Sequence, residues 1–147
     1  MSAALNVDRA DCAQWTEEPW SMMALTIKEP WAWLIIHGGK DIENRGWPCS
    51  YRGRIAIHAS GKAVPKWEYR DVVRFVREFD PALADRIPAY SDLVLGAVIG
   101  TVTLADCVKH SPSPWFQGDY GFVLEDPSAL TVPTPAKGKL GLWRWNP

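Results

Sequence analysis

The chain has 147 residues, 47% hydrophobic and 22% charged, with 16 Lys and Arg against 17 Asp and Glu and a formal net charge of −1. That length suits one compact domain, which at about 150 residues buries roughly 68–70% of its unfolded surface, so a core forms without disulfide staples. The near-neutral balance, with a pI near 6.3, excludes a protein that grips duplex nucleic acid mainly by neutralising many phosphates; any nucleic-acid contact has to be local.

Residues 1–22 show no clean period and are read as an N-terminal extension, tacked by Trp15 and Trp20 onto a domain spanning residues 23–147. From Leu25 the pattern sharpens. Leu25 to Ile27 reads as a short strand, Pro30 sits where a first helical turn tolerates it, and Trp31, Leu34 and Ile35 recur at helical spacing. Gly38 and Gly39 end that helix, one of them expected in the left-handed conformation, so Lys40 falls just past a helix C-terminus, where a cation is favoured. GRIAIHAS, from Gly53 to Ser60, alternates as a strand does. Pro65 opens a helix whose apolar stripe is Trp67, Val72, Val73, Val76 and Phe79; Asp80 and Pro81 stop it, and a short helix follows to Arg86. LVLGAVIGTVTLADC is rich in Val, Ile and Thr and reads as a long strand that its glycines bend or bulge. HSPSPWFQG is a loop by its prolines, YGFVLED and LGLWRW are strands, and VPTPAKGK between them is extended and irregular. The order β-α-β-α-β-β-β predicts an α+β domain, a small mixed barrel with helices packed around it.

Three cysteines, Cys12, Cys49 and Cys107, are odd in number and lack zinc-type spacing with His37, His58 or His110, so no metal site or cofactor is expected and the thiols are read as reduced in a cytoplasmic protein. The longest apolar stretch, Leu93 to Ala105, is too short to span a membrane, and no membrane partner is expected. The compositional outlier is nine tryptophans. Most are expected in the core and one or two along a site, since a base stacks on such a ring at about 1–3 kcal/mol.

The densest polar segment is HGGKDIENRGW, which packs Lys40, Asp41, Glu43, Asn44 and Arg45 behind two glycines. GGKDIENR resembles the G-x-K-x-x-E-x-R signature of ASCH domains, a family grouped with PUA-like folds, and Gly38, Lys40, Glu43 and Arg45 occupy its four defined positions. ALTIKEPWAWLIIHG before the motif, GRIAIHAS and GAVIGTVTLAD after it, and the terminal GLWRW are similar too, so the resemblance runs from about Leu25 to Trp145. It implies a PUA-like small mixed β-barrel with helices packed around it and a cleft lined by the motif, with RNA or modified nucleosides as ligands. Some small members of the family remove the acetyl group from acetylcytidine, and nuclease activity on RNA has been proposed for others. Those amidohydrolases carry a catalytic Lys, a Thr three residues later and an acid on a later strand. Here Lys40 keeps the first place, Glu43 stands where the Thr would be, and Asp106 is the nearest match for the acid. A carboxylate cannot replace a hydroxyl nucleophile unchanged, so hydrolysis here would run through water activated by Glu43.

Glu43 and Arg45 share one face of an extended segment, about 6.6 Å apart along it. Arg45 is placed either to pair with Glu43 or to hold a phosphate or carboxylate oxygen. Lys40 is expected to be a cationic hydrogen-bond donor and Glu43 the group that moves a proton or orients water. Trp47 is the first choice for a stacking wall, with Trp31 and Trp115 behind it; plain packing is the alternative for each. His58 is either a buried, satisfied histidine or a ligand contact, and Ser60 and Lys62 stand where they would touch a phosphate. The leading expectation is a domain that binds RNA or a modified nucleoside. The alternatives are a hydrolase at the same cleft and a protein-interaction module in transcription or translation regulation, whose charged motif only supports the fold.

Overall fold

The computed structural model describes residues 21–147, so Cys12, Trp15, Trp20 and nearly all of the expected extension lie outside the described residues. The elements in order are β1 (Met22–Ile27), α1 (Trp31–His37), β2 (Ile42–Arg45), β3 (Gly53–Ala59), α2 (Lys66–Phe79), α3 (Pro81–Arg86), a single 3₁₀ turn (Tyr90–Asp92), β4 (Ala97–Val108), β5 (Tyr120–Pro135) and β6 (Leu142–Trp145).

Local chemistry accounts for the boundaries. Gly38 donates its N–H to Leu34 O at 2.9 Å and Gly39 takes φ 75°, a left-handed value that glycine adopts without strain, so α1 ends where the glycines stand. Asp80 closes α2 through its N–H to Val76 O at 2.8 Å and caps α3 by accepting from Leu83 N at 3.1 Å, with Pro81 in the first turn. Of the expected α2 stripe, Val72 and Val76 are buried and Val73 is half-buried, whereas Trp67 and Phe79, near the two ends of the helix, are 61% and 42% exposed.

The strands form one mixed sheet in the order β2, β5, β4, β3, β1, β6. β1 and β3 run parallel, with Leu25 opposite Ile57, and the other neighbours are antiparallel. The register of β4 against β5 shifts near Gly100, Thr101 and Leu104, which is the bending expected of that glycine-bearing strand. Gly100 also permits α1 to settle on the sheet: a Cβ there would stand 2.6 Å from Ser128 O and 2.7 Å from Ile36 Cδ1. The main core joins Leu25, Ile55, Ile57, Val102, Leu104 and Phe122 of the sheet to Ala32 and Ile35 of α1. A second core of Leu34, Ile42, Val72, Val76, Leu83 and Trp115 lies under α2 and α3.

The α+β class holds, but the hydrogen-bonded ladder is an open sheet and not a closed barrel. The reason lies in strand length. β6 covers β1 only from Met22 to Leu25, so the end of β1 at Thr26 and Ile27 has no strand on that side. β2, at the opposite edge of the sheet, is only four residues long. A side chain bridges the gap: Arg45 Nη2 of edge strand β2 donates to Thr26 O, at the end of β1 that β6 leaves uncovered, at 2.9 Å. The second half of the motif is therefore a strand of its own, paired to β5 with Glu43 opposite Phe122, and it borders an unzipped seam. β5 also runs longer than the sequence pattern suggests, because Thr134 and Pro135 pair back onto Val98 and Ala97.

Candidate functional site

Gly39 turns the chain so that Lys40 points back under the end of α1. Its side chain is only 3% exposed, and its Nζ donates to Ile42 O and, at 3.0 Å, to Glu43 Oε1. The same ammonium lies 5.5 Å from the centre of the Trp31 ring, a cation–π contact. Glu43 accepts on its other oxygen, Oε2, from Arg45 Nε at 3.1 Å. Lys40, Glu43 and Arg45 thus form one relay of alternating charge that ends on the Thr26 carbonyl at the seam. Burial of such a relay is tolerated because each charge has an opposite partner within hydrogen-bond distance.

Two clefts flank the relay. The seam cleft, about 510 Å³, is lined by Thr26, Lys28, Trp31, Glu43, Arg45, Ser60 and Lys139, among others. An inner cleft of about 280 Å³ is lined by Trp31, Lys40, Glu43, Asn44, Phe75, Trp115 and Gln117. Trp31, Glu43 and Asn44 belong to both. A third cleft of about 420 Å³ borders the strap between β5 and β6 and shares Thr26, Ser60, Lys139 and Leu140 with the seam cleft.

The structure brings together Lys40, Glu43, Arg45, Trp31, Trp115 and Ser60 around these clefts. His58 lines the third: it is 1% exposed, its Nε2 donates to Ala136 O at 2.6 Å, and its ring meets Trp143 edge-on at 5.5 Å. Because a carbonyl only accepts, the proton sits on Nε2; Nδ1 has no hydrogen-bond partner among the described residues. Trp47 does not line these clefts; it lies 36% exposed with its ring edge-on to Phe122 at 5.1 Å. Asp106 also stands outside them, its side chain 60% exposed, paired with Arg52 at 3.6 Å and accepting from Cys107 N at 2.8 Å. Lys62 is exposed and meets Ser60 through its backbone, its N–H donating to Ser60 Oγ at 3.3 Å. Among the described residues no group of His, Cys, Asp and Glu is arranged to hold a metal, and no helix is long and apolar enough to cross a membrane.

Two contributors escaped the sequence reading. Asn44 fastens the proline-rich loop to the motif, donating from Nδ2 to Trp115 O at 2.8 Å and accepting on Oδ1 from Gln117 N at 2.8 Å, while Ser113 Oγ donates to Asp41 Oδ1 at 2.6 Å. These less constrained positions of the motif set the Trp115 wall of the inner cleft. The available signal was chemical, since short Asn and Asp side chains readily serve backbone groups. The other is Glu29, 1% exposed, whose Oε1 accepts from Trp33 N at 2.7 Å in the first turn of α1. Burial pushes its carboxyl up from 4.5 to about 7, against the opposing pull of the Trp33 hydrogen bond.

Comparison with known proteins agrees with the motif. The ASCH domain model matches residues 25–121, a span that holds both the charge relay and the loop of Trp115. The chain is 28% identical over 131 residues to activating signal cointegrator 1 of Mus musculus, covering 82% of this chain and 22% of that protein. It is 27% identical over 131 residues to activating signal cointegrator 1 of Homo sapiens, again across 82% of this chain and 22% of the relative. The chain therefore spans about a fifth of the length of these relatives. With the signature residues in place and the family match running from β1 into β5, the chain belongs to the ASCH domain family.

Proposed function

We propose that the chain binds RNA or a modified nucleoside, holding a base in the inner cleft between Trp31 and Trp115. The observation that carries this reading is the composition of that cleft: three aromatic side chains, Trp31, Phe75 and Trp115, with Lys40, Glu43, Asn44 and Gln117 among them. A planar heterocycle needs flat apolar walls for its faces and a few fixed donors and acceptors for its edge, and this set supplies both kinds. Arg45 and Lys28 in the adjoining seam cleft suit an anionic backbone. Binding is favoured over hydrolysis because both oxygens of Glu43 already accept from cations and Asp106 stands away from Lys40. The relatives' name, activating signal cointegrator 1, concerns proteins far longer than this chain and bears on a regulatory setting, not on the ligand.

The test is a titration at low salt with cytidine, acetylcytidine and a short single-stranded RNA, followed by intrinsic tryptophan fluorescence. Binding by the wild type and a loss on Trp31→Ala of about 1–3 kcal/mol, roughly 5-fold to 150-fold, are expected. Release of cytidine from acetylcytidine would establish the hydrolase instead. A wild type that binds none of the three defeats the reading and leaves the motif a support for the fold in a protein-interaction module.

A further inference from the structure

The charge on the cleft walls is partitioned. In the inner cleft Lys40 is matched by Glu43, and in the seam cleft the carboxylates of Glu43 and Glu68 stand among Lys28, Arg45 and Lys139. The third cleft differs: its charge comes from Lys137 and Lys139, and among the described residues no carboxylate lines it. In a chain with a formal net charge of −1, a cleft with two lysines and no carboxylate among the described residues that line it is a local departure.

Its walls are also bare. Gly61, Gly96 and Gly138 are among the residues that line it, so backbone is open to close approach. The strap that bears the lysines is held in place. Ala136 N donates to Gly96 O at 3.0 Å, and Ala136 O accepts from the buried His58. Gly138 sits so tightly on the floor that a Cβ there would lie 2.8 Å from both His58 Cε1 and Thr26 Oγ1. Lys137 and Lys139, two apart on either side of Gly138, are thereby presented to the same cleft from a fixed backbone. Finally, this cleft continues into the seam cleft through Thr26, Ser60, Lys139 and Leu140.

We propose that the strap cleft is a phosphate subsite, so that the ligand is a single RNA strand of two or more nucleotides, with one base in the inner cleft, the backbone crossing the seam cleft and a phosphate further along the strand at Lys137 and Lys139. The inference rests on the base-binding reading above and adds a chain-length requirement to it. A cationic groove that tracks the backbone beside an aromatic wall is the arrangement by which single strands are held. The two strap lysines can neutralise one or two phosphates, so their share of the dependence of affinity on salt is a logarithmic slope of about −0.7 to −1.4.

The experiment compares cytidine with oligocytidylates of two, four and eight nucleotides on the wild type, Lys137→Ala and Lys137→Glu, each at several salt concentrations. Lys137 is exposed and lines only the strap cleft, so both variants are expected to fold and to bind cytidine as the wild type does. The wild type should prefer the oligonucleotides to cytidine by about tenfold or more, as one charge-assisted contact supplies. Lys137→Ala should lose most of that preference and flatten the salt slope by about 0.7, and Lys137→Glu should lose all of it. Cytidine binding without a length preference, or a preference that survives Lys137→Glu, overturns the phosphate subsite while leaving the base cleft standing. Failure of the wild type to bind any of these probes overturns the base-binding reading and the subsite with it.

Discussion

Replacing Glu43 by Gln removes one charge from the middle of the relay and keeps the side-chain shape. The two cations then fare differently. The Arg45 side chain is 22% exposed and regains water, whereas the Lys40 side chain is 3% exposed and cannot. Breaking a buried pair costs about 3–5 kcal/mol. Lys40 retains its bond to Ile42 O and the Trp31 ring, which places the expected loss near the lower end, about 3 kcal/mol. For a domain of this size that corresponds to a fall in Tm of roughly 6–12 °C. Urea unfolding followed by tryptophan fluorescence measures it, with Lys40→Met and the double variant Lys40→Met/Glu43→Gln completing a cycle. The double variant buries no unpaired cation, so it should be more stable than the sum of the single losses predicts, by about 1–2 kcal/mol. A Glu43→Gln protein within about 0.5 kcal/mol of the wild type, or additive losses across the cycle, would refute the account of Lys40 as a charge that depends on Glu43.

Glu29 makes stability depend on pH. Its folded pKa lies above its ordinary value, at about 7 against 4.5, so between those limits the folded state holds a proton that the unfolded state has lost. Stability should therefore fall as pH rises through that window, by up to about 3 kcal/mol, and level off above it. Glu29→Gln, which keeps an acceptor for Trp33 N, should flatten that part of the profile and be the more stable protein at pH 8; denaturant melts from pH 4 to pH 8 that superimpose would contradict this. Asn44→Ala removes both fastenings of the Trp115 loop and should cost about 1–2 kcal/mol. It should also speed amide hydrogen exchange at Gln117, whose N–H loses its acceptor; unchanged exchange there would show that the loop holds itself in place.

Much of the fold was legible from short-range signals. Helical spacing of Trp31, Leu34 and Ile35, the glycine stop, and the strand pattern of GRIAIHAS each reflect residues a few positions apart, and the structure has α1, its end and β3 there, although β3 is buried on both faces from Ile55 to Ala59. The motif told more than its composition: paired glycines place Lys40 beyond the helix, and a two-residue offset puts Glu43 and Arg45 in contact. Contacts over long separations were not legible. Nothing local indicates that Asn44 answers Trp115 and Gln117 more than seventy positions away, or that Trp31 and Trp115 line the inner cleft while Trp47 lies on Phe122.

The sequence by itself determined which residues carry charge, where the helices stop and which side chains of the motif share a face, because those properties follow from neighbours along the chain. Only the tertiary structure decided that the sheet stays open. β6 ends its pairing on β1 at Leu25, and Arg45 reaches across from the far edge to the Thr26 carbonyl just beyond that pairing. The gap between two strand ends distant in sequence is what turns a polar motif into the wall of a cleft.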